Sequence, residues 1–381
     1  MRVLPGFLQL PLTFLTGKPF AGQSAIRLSP TFHLVASSSS LVCGVAISAA
    51  ALRAGGLWTL LLVVGWAMTL HGMRNLRMMI FHQCSHRNMY GLARPDSVIG
   101  QAVSSLLIIQ NFADYSREHV GDHHSVHHMT LRDPTVQAFL RTLGFQPGMS
   151  RAQLWGLLIA RLLSPRFHAL FAISRVRSFL HGATTGERIA AAIFYGGLLV
   201  VAAVTGAWIT ILFAWFVPLV LLFQVSNTLR LCVKHTFPDR SVTERRGKAY
   251  YAALTNAIFI GEAAPSATGD PVRTTLAWVL WFARMAFVHF PSRYLVLTGD
   301  TVVHDYHHRH PASKQWHDYI FARQADVDAG HRGWPPYHEA WGLIPAINLV
   351  LDSLSAADPV EFDATRIGAV SQRELFNAFD D

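Results

Sequence analysis

Residues 117–135 read REHVGDHHSVHHMTLRDPT. The stretch places His119, His123, His124, His127 and His128 within about three helical turns. Packing a hydrophobic core asks for nothing of this kind. Imidazole is a good ligand for first-row transition metals, so the stretch points to a metal site. The competing reading is a polar histidine tract that binds metals adventitiously. Two further clusters, HQCSH at 82–86 and HDYHHRHP at 304–311, argue against it.

Working outward, the composition is that of a membrane protein. Hydrophobic residues make up 51% of the 381 and charged residues only 14%, and the mean hydropathy is +0.28. The charged fraction is low for a soluble protein. The net charge of +9 would suit nucleic acid or a membrane surface. Its basic residues alternate with apolar spans instead of forming one dense patch, which favours the membrane and not nucleic acid. The three cysteines, Cys43, Cys84 and Cys232, form no CxxC pair and no disulfide framework. A bound metal would have to be held by histidine.

The apolar runs come in pairs. One extends from about Leu34 to Leu52; after Arg53, Gly55 and Gly56 a second runs from Leu57 to Leu70, with a helix able to continue to His86. The second pair is Ile189–Val204 and Trp208–Val225, joined by Thr205, Gly206 and Ala207. A bilayer requires roughly 18 to 20 apolar residues per crossing, and connections this short allow only helical hairpins. The expected fold is therefore all-α: a polytopic membrane protein of two transmembrane helical hairpins beneath a histidine-rich helical cap. The ends opposite the short connections hold Arg74, Arg77, Arg117, Arg175, Arg230, Lys234, Arg245 and other basic residues. The positive-inside rule makes that side, both termini and the histidine clusters cytoplasmic, in the inner membrane if the source is bacterial. Ser97–Ile109 and Thr274–Phe290 read as interfacial or re-entrant helices, and Leu154–Leu163 as a surface helix. The chain divides into a cytoplasmic segment, 1–33, a membrane domain, 34–354, and an acidic tail, 355–381, carrying Asp358, Glu361, Asp363, Glu374, Asp380 and Asp381. The first segment shows no clean signal peptide.

At a spacing of four, His82 and His86 share one helix face, as do His119 and His123. His124 is turned about 100° from His123 on an α-helix, so an adjacent pair can serve two metals. His304, His307 and His308 fall on one face, and His235 stands just past the fourth span. Hairpin topology gathers all of these under one membrane face.

The set HxxxH, HxxxHH and HxxHH, with these hydrophobic pairs between, resembles the membrane fatty acid desaturase and hydroxylase superfamily from about Leu34 to His310. Arg117-Glu118-His119 through Asp133-Pro134 resembles the second box with its downstream Asp-Pro, and His235 resembles the family's additional histidine. The resemblance implies a di-iron centre with two iron ions, molecular oxygen as co-substrate, and electrons from an external ferredoxin- or cytochrome b5-type carrier and its reductase. It implies as ligands His82, His86, His119, His123, His124, His235, His304, His307 and His308. Since His124-x-x-His127-His128 fits the shorter, commoner form of the box, His127 and His128 are alternatives. Desaturase, hydroxylase and acetylenase share these boxes; the resemblance points first to desaturation of a long fatty acyl chain.

Each ligating ring needs its other nitrogen held, and Asp122, Asp133, Asp300 and Asp305 are candidates for that role. Phe81, Tyr115 and Phe237 are candidate tunnel-lining residues. The isolated His33, His168 and His181 are expected at the interface or surface, His71 as a polar residue ending its span, and His289 in the interior. His317, His331 and His338 lie in a Trp/Pro-rich region over the site. Arg240, Arg245, Arg246 and Lys248 form a basic face for an acidic carrier or for lipid headgroups. A membrane cytochrome would want histidines within facing spans, and a metal transporter ionisable groups at midplane; the four spans offer neither.

Overall fold

The computed structural model describes residues 4–124, 127–242, 246–266 and 269–370; Arg245, Glu374, Asp380 and Asp381 lie outside these. Among the described residues the structure is mostly helical, with one parallel pair of three-residue strands, Ala257–Phe259 with Glu339–Trp341, and an isolated antiparallel bridge between His235 and Thr255. Four helices among the described residues are long and apolar enough to cross a membrane: Pro30–Ala54, Gly56–Ser85, Thr185–Thr205 and Trp208–Lys234. The second has 30 residues. It is therefore about 45 Å long, more than a hydrocarbon core of about 30 Å requires; its last turn carries His82, and His86 follows as the C-cap.

Local chemistry sets the ends of these helices. Ser29 caps the first by accepting from the Phe32 amide, with Pro30 in the first turn. The helix stops where Gly55 and Gly56 adopt φ of 66° and 54°. Thr184 and Glu187 form a reciprocal capping box at the start of the third span. Glu187 is buried and also accepts from Ser104 Oγ and the Phe112 amide, which docks the helix Ala93–Leu107 against this span. That helix has 15 residues, about 22 Å, too short to cross.

The first two spans meet along a seam of small residues. Ser37, Leu41, Gly44, Ser48 and Ala51 face inward on one, opposite Gly65, Thr69 and Gly72 on the other. A Cβ on Gly44 would lie 2.3 Å from the Thr69 amide nitrogen, and one on Gly72 2.5 Å from that of Leu41. Small residues permit this approach, and helices in lipid associate by such packing. The two hairpins join through Trp66, whose indole donates to the Phe213 carbonyl at 2.7 Å, and through Arg74, which donates to Asn227.

Several basic residues counted above for orientation are structural. Arg74, Arg77, Arg175, Arg230 and Lys234 are buried, and Arg175 donates to the carbonyls of Leu107, Ile108 and Leu219. The helices Arg151–Leu162 and Pro165–Gly182 meet at 69°. Leu154 and Leu158 of the first are fully buried, and the helix packs beside Leu343–Ala356. Pro271–Arg284 continues through a π-helical turn, Met285–His289. It leaves Val272, Leu276 and Phe287 exposed, while Trp281 and Met285 pack with Leu12 and Leu15 of the amino-terminal helix Gly6–Thr16.

Three expectations about isolated histidines change. His33 is buried, with Nε2 bonded to the His317 carbonyl at 2.7 Å. His168 is buried between Gln224 and the Leu162 carbonyl, bonded at 2.8 Å to each. Both close joints between segments distant in sequence, His168 through both ring nitrogens and His33 through Nε2. His181 is exposed as expected, whereas His289 is partly exposed and not interior.

Candidate metal centre

The structure brings nine imidazoles together in two adjoining groups. One contains His82, His86, His119, His124 and His307; the other contains His123, His235, His304 and His308. Within each group the potential ligand atoms all lie within 4.8 Å of one another. The Nε2 atoms converge: His82 to His307 is 2.9 Å, His307 to His124 3.0 Å and His119 to His86 3.1 Å. In the second group His123 to His235 and His235 to His304 are both 3.2 Å, and His304 to His308 is 3.0 Å.

Hydrogen bonding alone does not account for this arrangement. An imidazole nitrogen offers either one proton or one lone pair. His307, His235 and His304 each turn Nε2 toward two others, so one such contact is always unsatisfied. A cation among the lone pairs satisfies all of them. Two nitrogens bound about 2.1 Å from one ion stand roughly 3.0 to 3.4 Å apart, and the observed spacings of 2.9–3.2 Å match. Burial pushes His119, His123, His124, His235, His304, His307 and His308 well below the ordinary imidazole range, and neighbouring histidines push the same way. His86 is lowered to about 4, again by burial. The rings are held neutral, the form that ligates a metal.

Backbone geometry makes the second box converge. His119–His123 is a π-helical turn, and the His124 amide donates to the His119 carbonyl five residues back at 3.0 Å. On an α-helix His124 would stand about 140° from His119. At about 4.4 residues per π turn it stands only roughly 50° away. The π turn thus absorbs the extra residue of HxxxHH and returns three rings to one side. Another π turn, Leu76–Phe81, directly precedes His82, whereas His304–Arg309 is α-helical, as HxxHH requires.

Of the box-two alternatives, His128 stands behind His123. Its Nδ1 bonds the His123 carbonyl at 3.1 Å, and it groups with His123 and Asp133 and not with the nine. His127 belongs to no such group among the described residues. Of the four aspartates, Asp133 holds a ring of the cluster. Its Oδ1 accepts from His123 Nδ1 at 3.2 Å and from the Thr135 amide at 2.9 Å, and its Oδ2 accepts from the Met129 amide at 2.7 Å. Asp122 pairs with Arg132, Asp300 accepts from Gln83, and Asp305 holds buried Arg323 through both oxygens. Burial pushes the Asp300 carboxyl up to about 6.

Other candidates fall into place around the cluster. Tyr115 stacks on His119 with ring centroids 5.1 Å apart, and its hydroxyl lies 3.5 Å from His82 Nδ1. Reading it only as a tunnel residue missed this contact, although it lies one helical turn before His119. Phe81 packs in the core against Tyr115 and Phe112, and Phe237 packs against Phe139 and Phe362. His71 lies outside the cluster, stacked on Tyr294 and bonded to its carbonyl at 2.8 Å. His310 faces Asp326, and His317 faces Asp318.

A helical protein with four bilayer-length apolar helices and a buried double cluster of neutral imidazoles belongs to the class of membrane proteins able to hold metal among histidines. The profile of the family "Fatty acid desaturase" matches residues 56–341, and the chain belongs to that family. Membership makes it an oxidoreductase of the kind that desaturates or otherwise modifies fatty acids. A comparison with curated proteins gave no match.

Proposed function

We propose that this protein carries out oxygen-dependent desaturation of a long-chain fatty acyl substrate at a di-iron centre. His82, His86, His119, His124 and His307 would hold one iron, and His123, His235, His304 and His308 the other. The observation that carries the proposal is the convergence of these nine rings in two adjoining groups, in a member of this family. Imidazole suits iron as it suits zinc, copper and nickel, and membership of this family favours iron among them. Iron held there would supply, with molecular oxygen and two external electrons, the oxidising power that breaking an unactivated C–H bond requires.

The protein's own part is positioning and exclusion. Asp133 fixes the His123 proton on Nδ1 and leaves Nε2 free to ligate. Tyr115 holds the ring planes of His82 and His119. The depth of the cluster keeps bulk water away, and rigid placement of two neighbouring methylenes selects the second hydrogen removal that gives an alkene. Electrons reach the cytoplasmic face from a separate acidic carrier, docked near Arg246 and Lys248. Arg240 is already engaged with the Ala356 and Ala357 carbonyls. The test supplies saturated acyl substrate, oxygen gas enriched in the heavy isotope and a reducing chain. Desaturation predicts a product lighter by about two mass units and free of label; a labelled product heavier by about eighteen (about sixteen, unlabelled, in a parallel run with ordinary oxygen) would mean hydroxylation instead (arithmetic on two hydrogens or one oxygen).

A further inference from the structure

Arg77 stands on the second span, five residues before His82, and is only 1% exposed. Its buried neighbours in the sequence and the fold are hydrogen-bonded: Arg74 donates to Asn227, and Arg175 to the carbonyls of Leu107, Ile108 and Leu219. Arg77 differs. Its Nε and both Nη atoms are buried without a hydrogen-bond partner. A charge taken out of water in this way is strongly unfavourable, so some other contact must hold it there.

That contact is aromatic. The guanidinium carbon lies 4.2 Å from the ring centre of Tyr115 and 4.7 Å from that of Phe81, and the two rings pack on each other at 4.7 Å. A guanidinium is flat and weakly hydrated, and its attraction to a π face is largest where water is excluded. The backbone brings it into place. Leu76–Phe81 is a π-helical turn, on which a residue five places along stands only about 50° away, against about 140° on an α-helix. Arg77 and His82 therefore project toward nearly the same side, where Tyr115 meets both. The gripped phenol is the one that stacks on His119 at 5.1 Å and brings its hydroxyl 3.5 Å from His82 Nδ1. Those two imidazoles lie 4.5 Å apart and belong to the five-histidine group. One guanidinium thus acts through one phenol on rings from two different boxes.

We propose that Arg77 is a positioning residue for the five-histidine group: its charge fixes the Tyr115 ring and, through it, the planes of His82 and His119. The inference rests on the reading of the cluster as a metal centre. Two other roles for Arg77 predict different outcomes. A cation acting directly on the centre repels a bound metal ion, so removing it would tighten binding, whereas releasing a clamp weakens it. A side chain that only fills space would leave binding unchanged when replaced by an apolar one of similar volume.

The test titrates full-length protein in detergent with cobalt(II), read by its visible ligand-field absorption, and follows thermal unfolding of the metal-free protein in parallel. In Arg77→Met one of the two cobalt ions should bind about ten-fold or more weakly, as for loss of an outer partner, with its absorption bands shifted, while the other is unchanged. Tyr115→Phe, which keeps the ring, should lose less than Tyr115→Leu, and adding Arg77→Met to Tyr115→Leu should weaken binding no further. Without metal, Tyr115→Leu strands the guanidinium and should lower the melting temperature; adding Arg77→Met should raise it again, because a buried lone charge is removed. If Arg77→Met does not fold, Arg77→Lys decides: the charge stays, the flat face goes, and the same cobalt ion should still bind more weakly. Equal or tighter cobalt binding in the Arg77 variant, equal weakening at both ions, or simple additivity of the Arg77 and Tyr115 substitutions would overturn the proposal. Because the melting arm needs no metal, wild-type protein that bound no cobalt yet showed the rescue would defeat the metal reading and leave the Arg77–Tyr115 clamp standing.

Discussion

Replacing Asp133 by asparagine isolates the group that holds a clustered ring from outside. The carboxylate is fully buried and accepts three hydrogen bonds, from His123 Nδ1, the Thr135 amide and the Met129 amide. Asparagine has nearly the same shape but one oxygen fewer. If its oxygen faces His123 and Thr135, its NH₂ is opposed to the Met129 amide and leaves that buried donor unsatisfied, at about 1–3 kcal/mol. If it turns over, the NH₂ faces His123 Nδ1. That nitrogen must then accept, which moves the proton to Nε2 and removes the lone pair needed for a metal. Either orientation disturbs the site, and loss of such an outer partner typically lowers metal affinity about 10- to 100-fold. Chelator competition with cobalt(II) or iron(II), paired with thermal unfolding of metal-saturated protein in detergent, measures both effects. Asp122→Asn is the control, since its pair with Arg132 lies at the surface and should contribute under about 1 kcal/mol. Wild-type metal affinity in Asp133→Asn would refute the argument that Asp133 orients a ligand.

Three other outcomes follow. The eight clustered histidines outside the spans have folded pKa values below the unfolded value near 6.5. The unfolded chain therefore binds more protons below that pH, and stability of the metal-free protein should fall as pH drops through about 6.5, each histidine adding up to about 1.4 kcal/mol per pH unit; a flat melting temperature from pH 7 to 5 would speak against neutral buried rings. Gly44→Leu should separate the first hairpin, since even a Cβ would stand 2.3 Å from the Thr69 amide nitrogen; the readout is cross-linking between cysteines introduced at Ser40 and Met68, where the Ser40 hydroxyl now donates to the Met68 carbonyl at 2.9 Å, and undiminished cross-linking would count against the seam. Accessibility tags near Arg141 and at the two termini should report one side of the membrane and a tag at Gly206 the other, whereas a tag at Arg141 on the same side as Gly206 would be incompatible with one hairpin topology.

Much of this architecture was legible in the sequence because it follows from period and length. Four apolar runs with two-to-four-residue breaks leave little choice but hairpins, and their observed limits exceed the apolar runs only where polar helix continues past them, as from Leu70 to Ser85. The histidine boxes were visible by spacing. The register of the second box was not, because α-helical geometry sets His124 well away from His119 and only the π turn returns it. The seam around Gly44 and Gly72 was hidden, since small residues carry no hydropathy signal for the neighbour they admit. His33 and His168 looked isolated because their partners, the His317 carbonyl and Gln224, are distant in sequence. The amino-terminal helix drew no attention for a similar reason: its apolar residues line one cavity with Met79, Tyr294 and Tyr319 only in the folded chain.

The most direct test of the central claim is X-ray absorption at the iron edge on purified, iron-loaded protein, with the metal counted on the same sample. The account predicts about two irons per chain, each in a shell of imidazole nitrogens with the multiple-scattering pattern of histidine rings and no sulfur. A sulfur shell, a porphyrin pattern, or iron without imidazole scattering would contradict it.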